Sequence, residues 1–405
     1  MIKVGITGQA GFVGSNLYNT LGLYPDVFER IPFEDSFFQD ENTLRSFVSQ
    51  CDTIVHLAAL NRHNDSQVLY KMNLHLVEKL ILACEHTKST PHIIFSSSTQ
   101  EERNTAYGRS KKEGRHFFEQ WAKKNNAEFS GLIIPNVYGP FGHANYNSVI
   151  ATFCHQLTHN ETPNIEIDGE LKLIYVAELI RSILYIIELH YSSYHTRDFK
   201  QNNHIIAHSE LETLSNKILH NVKKSETIVI PPTNQIKVST ILEKLTFYKY
   251  NYFEKGTIPD LNNIFDRNLF FTFQCYIDHA SFFPFRLNLN RDNRGSFVEV
   301  AKLNSGGQVS FSNTTPYTVT RGNHFHTRKF ERFAVIKGKA RIEMRRVGTD
   351  NILVFDLDGN QPSFVDMPIW HTHNITNIGN EELFTLFWIN EHYNPNDPDT
   401  FFEKV

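Results

Sequence analysis

The sequence predicts two folds in one chain: a doubly wound, mostly parallel α/β sheet, then an all-β barrel or jelly roll. Three observations carry this expectation. Over residues 1–190, short apolar runs alternate with amphipathic stretches, the rhythm of βαβ units. A glycine-spaced turn, Thr7-Gly8-Gln9-Ala10-Gly11-Phe12-Val13-Gly14, directly follows the first apolar run. From residue 281 the texture changes to short strand-like runs punctuated by Gly, Asn and Pro, as in antiparallel barrels.

The elements follow in order. Lys3–Thr7, Thr53–Leu57, Ile93–Ser97 and Leu132–Ile134 read as buried parallel strands. Leu74–Glu85, Ser110–Lys123 and Tyr146–His159 read as the intervening helices. Residues 191–280 are less regular: Leu211–Leu219 and Val238–Tyr248 look helical, with Pro231-Pro232 breaking the chain between them. The run Phe333 to Met344 and those around Leu353–Phe355 and Phe384–Ile389 read as strands of the second fold. The 405 residues exceed one ordinary domain. The expected division is a nucleotide-binding domain over 1–250, a connector over 251–280 and a β domain over 281–405.

Hydrophobic residues at 40% and charged residues at 21% are the balance of a soluble globular chain. A formal net charge of −4 offers no basic face, which argues against a nucleic-acid partner. The four cysteines, Cys51, Cys84, Cys154 and Cys275, show no C-x-x-C spacing and read as reduced thiols. Met1 leads straight into an apolar strand, and no apolar run is long enough to span a bilayer. A cytoplasmic protein without a membrane partner is expected.

Gly8, Gly11 and Gly14 suit a dinucleotide, because the backbone must turn tightly and approach a pyrophosphate with no Cβ in the way. The following helix N-terminus offers free N–H groups to the phosphates. At the end of the second strand, Glu29 suits a ribose hydroxyl and NAD, whereas Arg30 suits a 2′-phosphate and NADP. The expectation leans to NADP through Arg30, with NAD possible. Tyr107 and Lys111 stand four apart and share one helix face. An ammonium beside a phenol favours the phenolate, so Tyr107 can exchange a proton with a sugar oxygen as hydride moves. Ser96-Ser97-Ser98 ends a buried strand and can supply a hydroxyl to the same oxygen.

These features, with Asp52-Thr53-Ile54-Val55-His56-Leu57-Ala58-Ala59, resemble the extended short-chain dehydrogenase/reductases over residues 1–250. That resemblance implies a Rossmann-like fold with Ser98, Tyr107 and Lys111 in catalytic roles. It also implies a cofactor site of Thr7, Gly8, Gly11, Phe12, Val13, Gly14, Arg30, Leu57, Ala58, Ala59 and Asn73, with Tyr107 and Lys111. Pro135-Asn136-Val137-Tyr138-Gly139-Pro140 is typical of sugar-nucleotide members. The arginine common before that run is replaced by Ile133-Ile134.

His324 and His326 stand at i and i+2 on a strand and project to one side. Glu331 five residues later and His373 on a distant strand can complete a four-ligand metal set. The spacing from His324 to Gly338 resembles the first cupin motif, and Pro368 to Asn377 the second, with Trp370 in place of the usual glycine. Zinc, manganese, iron and nickel all suit such a set; zinc is preferred because no oxygen chemistry is suggested. His371 is expected beside the ligands or at the surface. Asp292-Asn293-Arg294-Gly295 and Arg321-Gly322-Asn323-His324 also resemble elements of sugar-nucleotide 3,5-epimerases. In that second family His324 would be a base in a metal-free site.

The domain order, the Tyr146–Phe153 segment and Asn396-Asp397-Pro398-Asp399-Thr400 resemble CapF-type capsule-biosynthesis enzymes over the whole chain. The resemblance implies a bifunctional enzyme acting on a UDP-sugar. The cupin domain would epimerise C3 of a UDP-4-keto-6-deoxy-HexNAc, and the reductase domain would then reduce C4 with NADPH, towards UDP-N-acetyl-L-fucosamine. A homodimer is the expected state. The alternatives are an NAD-dependent C4-epimerase, or a simple ketoreductase whose barrel serves dimerisation or sensing. A dehydratase is disfavoured because Thr99-Gln100, not an Asp-Glu pair, follows Ser98.

Overall fold

The computed structural model describes residues 1–194, 225–319 and 322–405. The expected helix Leu211–Leu219 lies outside the described residues, as does Arg321. By packing, the chain divides into two units. One comprises Met1–Tyr138, Asn145–Ser148 and Glu170–Ile236; the other comprises Gly139–Ala144, Val149–Gly169 and Lys237–Val405.

The first unit is a doubly wound sheet. Strands β1 (Ile2–Thr7), β2 (Phe28–Ile31), β3 (Thr53–His56), β4 (His92–Ser98) and β5 (Phe129–Ile134) are followed by β6 (Asn136–Tyr138), β7 (Glu170–Tyr175), β8 (Ser225–Val229) and β9 (Asn234–Lys237). The six-stranded sheet runs β2-β1-β3-β4-β5-β8 with every pairing parallel. β6, β7 and β9 form a separate three-stranded sheet. Helices α1 (Phe12–Leu21), α2 (Glu41–Gln50), α3 (Ser66–Thr87), α4 (Ala106–Asn125) and α6 (Val176–Tyr194) pack in this unit. Leu17, Leu21, Leu179, Ile183 and Ile187 of α1 and α6 cover one face of the sheet. Phe47, Val77, Leu80, Phe118 and Trp121 of α2, α3 and α4 cover the other. Burial on both faces explains why these strands read as apolar runs without alternation.

Helices α3 and α4 start earlier than the apolar periodicity suggests, because Asp65 and Thr105 cap their N-termini through side-chain oxygens. At the N-terminal edge of the sheet a buried relay links the elements. His190 Nδ1 meets Glu128 at 2.9 Å, His190 Nε2 meets Ser130 Oγ at 3.5 Å, and Ser130 Oγ meets His92 Nε2 at 2.9 Å.

The second unit joins a helical layer to an all-β jelly roll. α5 (Val149–Thr158) packs with the helices Val238–Tyr248 and Ile264–Gln274. The packing division therefore passes through the expected 1–250 domain, since α5 and the Val238–Tyr248 helix bury their apolar faces with Phe270 and Phe273 rather than on the sheet. The short strands are β10 (Thr257–Ile258), β11 (Phe285–Arg286), β12 (Leu289–Asp292), β13 (Gly295–Val298) and β14 (Lys302–Leu303). The barrel strands are β15 (Gln308–Thr314), β16 (His324–Phe325), β17 (Glu331–Lys337), β18 (Lys339–Arg346), β19 (Ile352–Asp358), β20 (Ser363–Met367), β21 (His371–Asn377), β22 (Leu383–Ile389) and β23 (Phe401–Phe402). They form two antiparallel sheets, β11-β20-β17-β22-β15 and β19-β18-β21-β16-β23. Phe333, Val335, Ile342, Met344, Phe364 and Ile375 fill the space between them.

The single run expected from Phe333 to Met344 is two strands in different sheets. Gly338 at φ +83° makes the break, and a Cβ there would stand 2.9 Å from the Glu382 carbonyl. The buried Arg332–Asp366 pair, bonded at 2.7 and 2.8 Å, is completed by Tyr252 Oη at 2.8 Å and the Gly256 carbonyl at 2.7 Å. A buried pair is tolerable only when its remaining groups are satisfied in this way. No helix among the described residues is long and apolar enough to cross a membrane.

Candidate functional site

The glycine turn stands where the order of strands reverses, since β2 lies on one side of β1 and β3 on the other. Gly8 has φ +72°, and its carbonyl accepts from Gly11 N–H at 3.0 Å. A Cβ on Gly8 would stand 2.8 Å from Ala58 N, and one on Gly14 would stand 2.2 Å from the Gly8 carbonyl. Only glycine fits either position. Leu57 N–H donates to the Thr7 carbonyl at 3.1 Å, so Leu57-Ala58-Ala59 runs beside the turn. Gly11 precedes α1 without a side-chain cap, leaving the first helical N–H groups, those of Phe12 and Val13 included, for an anion. This cradle fits the pyrophosphate of a nicotinamide dinucleotide.

Two expected cofactor residues are placed differently from the turn. Arg30 lies in register with Val4 rather than Thr7. Its guanidinium sits 4.4 Å from the Tyr18 ring and donates to the Tyr18 carbonyl at 3.3 Å. Asn73 spends its amide on shaping the loop: Nδ2 donates to the Leu60 carbonyl at 3.0 Å and to Ser110 Oγ at 3.1 Å, while Oδ1 accepts from Leu60 N–H at 2.7 Å.

Tyr107 and Lys111 occupy the first turns of α4, whose Thr105 cap accepts from Gly108 N–H at 3.0 Å. A Cβ on Gly108 would stand 2.2 Å from the Gln100 carbonyl. Glycine thus lets the Tyr107 helix press against the turn that follows Ser98. Ser98 Oγ accepts from Gln100 N–H at 3.1 Å. Glu101, in the same turn, is held by Arg115 at 2.8 and 2.9 Å. Lys111 Nζ donates to the Ser96 carbonyl at 2.8 Å and stands 5.8 Å from the Tyr107 ring centre.

Burial lowers the Lys111 ammonium to about 7, against an opposing pull from Glu101. Burial, then the nearby Tyr146, pushes the Tyr107 phenol up. The expected depression of Tyr107 by Lys111 is therefore not met, because desolvation of the buried phenol raises it. Tyr107 is held in its protonated, donor form. A cavity of about 470 Å³ opens beside it, lined in part by Asn61, Arg62, His63 and Thr105. Tyr146, whose Oη accepts from Asn61 N–H at 3.1 Å, was not expected here; its place in the Tyr146–Phe153 segment was the only sequence signal.

In the second unit the four expected ligands come together. His326 Nε2 and His373 Nε2 stand 3.3 and 3.2 Å from one Glu331 oxygen. His324, Glu331 and His373 present ligand atoms within 4.8 Å of one another. Register explains the convergence, since His324 on β16 pairs directly with His373 on β21. His326 Nδ1 bonds the Asp399 carbonyl, and His373 Nδ1 bonds the His371 carbonyl at 3.1 Å. Carbonyl acceptors fix a proton on Nδ1 and turn Nε2 towards Glu331.

His326 Nε2, His373 Nε2 and the Glu331 oxygen are buried with no hydrogen-bond partner. Burial, with the neighbouring His373, lowers His324 to about 4 and keeps it neutral. Burial would raise Glu331, but His326 and His373 outweigh it and hold the carboxyl well below its usual range. Imidazoles converging on one buried carboxylate fit a divalent cation.

His371 is buried rather than at the surface, and its carbonyl orients His373. Trp370 keeps the left-handed backbone of the glycine it replaces, with φ +61°, and stacks on Phe325 at 5.5 Å. The turn's shape survives the substitution. Asp292 and Arg294 instead pair with each other at 2.6 Å in the exposed β12–β13 hairpin, hydrogen-bonded to neither large sheet.

The reversal-point cradle and the Tyr107–Lys111 helix define a nucleotide-dependent enzyme. Residues 4–200 match the NAD dependent epimerase/dehydratase family, and residues 290–401 match a polysaccharide biosynthesis C-terminal domain. Over its whole length the chain is similar to two characterised proteins. The capsular polysaccharide assembling protein CapF of Staphylococcus aureus is 29% identical with a TM-score of 0.58, each chain covered completely. A UDP-2-acetamido-2,6-beta-L-arabino-hexul-4-ose reductase of Pseudomonas aeruginosa is 28% identical over 403 residues, covering 99% of this chain and 98% of that one. WbmF of Bordetella bronchiseptica, solved with NAD+, shares the fold at 15% identity and a TM-score of 0.50, covering 68% of this chain and 92% of its own.

Proposed function

We propose that this chain converts a UDP-4-keto-6-deoxy-HexNAc in two steps, C3 epimerisation in the β domain followed by reduction of the C4 ketone with NADPH. What carries the reading is the pairing, in one chain, of a protonated Tyr107 beside a dinucleotide cradle with a buried three-histidine, one-carboxylate cluster. The end-to-end likeness to a 4-ulose reductase supports the substrate class.

In the first unit the chain binds the dinucleotide by its glycine turn and receives the ketone near Tyr107 and Ser98. When bound, a nicotinamide would supply a hydride to C4. Tyr107 Oη gives its proton to the carbonyl oxygen, so the ketone becomes an alcohol as the nicotinamide is oxidised. Arg30, exposed at the end of β2, is the residue proposed to favour NADPH. In the second unit His324, His326, Glu331 and His373 would hold a divalent ion, zinc by preference. Such an ion polarises a ketone and stabilises charge on its oxygen, which acidifies C3–H. Since the ketone is what acidifies C3, epimerisation must precede reduction. A homodimer is proposed, supported by the edge strand β15, which exposes Val309 by 59% and Phe311 by 74%.

The test is product analysis with NADPH deuterated at the transferred position. Deuterium at C4 of the product is expected. Its absence, with the nicotinamide unoxidised, would refute the reductase step.

A further inference from the structure

Asp399 lies in the C-terminal segment, outside every strand and helix and outside the expected ligand set. It is 4% exposed, with a left-handed backbone of φ 43°. Its carboxylate gathers the turn after the paired histidines. Thr327 N–H reaches both oxygens at 3.2 Å, Thr327 Oγ1 donates at 2.6 Å, Arg328 N–H at 3.0 Å and Lys329 N–H at 3.1 Å. Lys329 Nζ donates to the Pro398 carbonyl at 2.7 Å, and Arg328 reaches Asp397 Oδ1 at 3.0 Å. The backbone carbonyl of the same Asp399 accepts from His326 Nδ1.

The two imidazoles beside Glu331 thus differ in how they are oriented. His373 takes its carbonyl from two residues away on its own strand, so its orientation comes with the strand. His326 takes its carbonyl from 73 residues away, and that carbonyl stays in place only while the C-terminal segment stays docked. A buried carboxylate with five donor contacts is far more than a chain end needs for packing alone.

We infer that Asp399 is a positioning residue for His326: its carboxylate clamps residues 327–329, which holds its own carbonyl against His326 Nδ1 and aims Nε2 at Glu331. The inference rests on the reading of the cluster as a divalent-metal site. Removing the clamp weakens metal binding by loosening one ligand, without removing any ligand.

The experiment compares the full-length chain with Asp399→Gly and Asp399→Asn, with His326→Ala as the ligand-loss reference. Zn(II) affinity is measured by competition with a chromophoric chelator, and the proton position on His326 by nitrogen NMR. Glycine keeps the left-handed backbone but deletes the carboxylate, so strain and clamp are separated. Asp399→Gly is expected to bind Zn(II) roughly 10–100-fold more weakly, with the His326 Nδ1 proton no longer fixed. Asp399→Asn, which retains one acceptor oxygen, is expected to lose less.

Asp399→Gly binding Zn(II) as tightly as the unaltered chain, with His326 unchanged, would overturn the inference and leave the metal site standing. An unaltered chain that takes up no Zn(II) would overturn the metal reading instead. The His326 nitrogen spectra then decide the positioning role by themselves. If Asp399→Gly does not fold, Asp399→Asn carries the same two measurements.

Discussion

The two chemical centres of this chain are built by opposite strategies. In the β unit, His324 on β16 pairs with His373 on β21, His326 follows just beyond β16, and backbone carbonyls orient two of the imidazoles. In the α/β unit, Ser98, Tyr107 and Lys111 sit at a strand end and on a helix. Lys111 is occupied with the Ser96 carbonyl, and Tyr107 is held protonated by burial. Strand register brings the histidines to one carboxylate. A strand-to-helix constellation instead presents a buried phenol and a cradle shaped for a dinucleotide.

The sharpest way to break the comparison is to remove one of those histidines. His373→Ala takes the central ligand from a buried carboxylate. Complete loss of bound Zn(II) and of solvent exchange at C3 is expected, read by metal analysis and NMR. Retention of both would mean the cluster is only core packing. In the other centre, Tyr107→Phe removes the proton donor and keeps the ring. NADPH-dependent reduction should fall by roughly 10²–10⁴-fold, with dinucleotide affinity nearly unchanged in a fluorescence titration. A loss smaller than tenfold would move the acid elsewhere.

Gly14→Ala tests the cradle, because its Cβ would stand 2.2 Å from the Gly8 carbonyl. The backbone must shift, so NADPH binding should drop beyond detection by calorimetry while the β unit keeps its Zn(II). Lys111 gives a pH test. Its ammonium titrates near 7 in the folded chain against an ordinary 10.5. Between those values the unfolded chain binds a proton the folded chain does not, so stability rises with pH across this window. Lys111→Met should abolish that rise in urea unfolding measured at successive pH values. A rise of the same size in the variant would contradict the burial argument.

The smallest effect concerns Trp370. Trp370→Ala and Trp370→Gly lose the same stacking on Phe325, but glycine releases the strain of φ +61°. The glycine variant should therefore be the more stable of the two by about 1 kcal/mol, read from paired thermal melts.

Much of both sites was legible in the sequence because their signals are short in range. The glycine turn and Tyr107–Lys111 each occupy one element or one turn, and His324, His326 and Glu331 stand within eight residues spanning β16, a loop and β17. Pairwise distances across the chain were not legible. Nothing near Arg30 shows that its register with Val4 turns it onto Tyr18. That the Asn73 amide pins the loop at Leu60 is likewise not legible in its own run. Asp399 stood in a recognisable run, but its partnership with residues 327–329 spans a sequence separation that periodicity does not encode. The single strand expected from Phe333 to Met344 missed Gly338, because one glycine inside an apolar run looks the same whether it bulges a strand or ends it.

The central claim is that one chain carries two ordered steps on one sugar. The most direct measurement incubates the purified protein with a UDP-4-keto-6-deoxy-HexNAc in D₂O and follows C3 by NMR, first without NADPH and then with it. The account predicts deuterium entering C3 before NADPH is added, and a reduced, C3-labelled product afterwards. Reduction with no exchange at C3 would contradict it and leave a ketoreductase joined to a catalytically silent barrel.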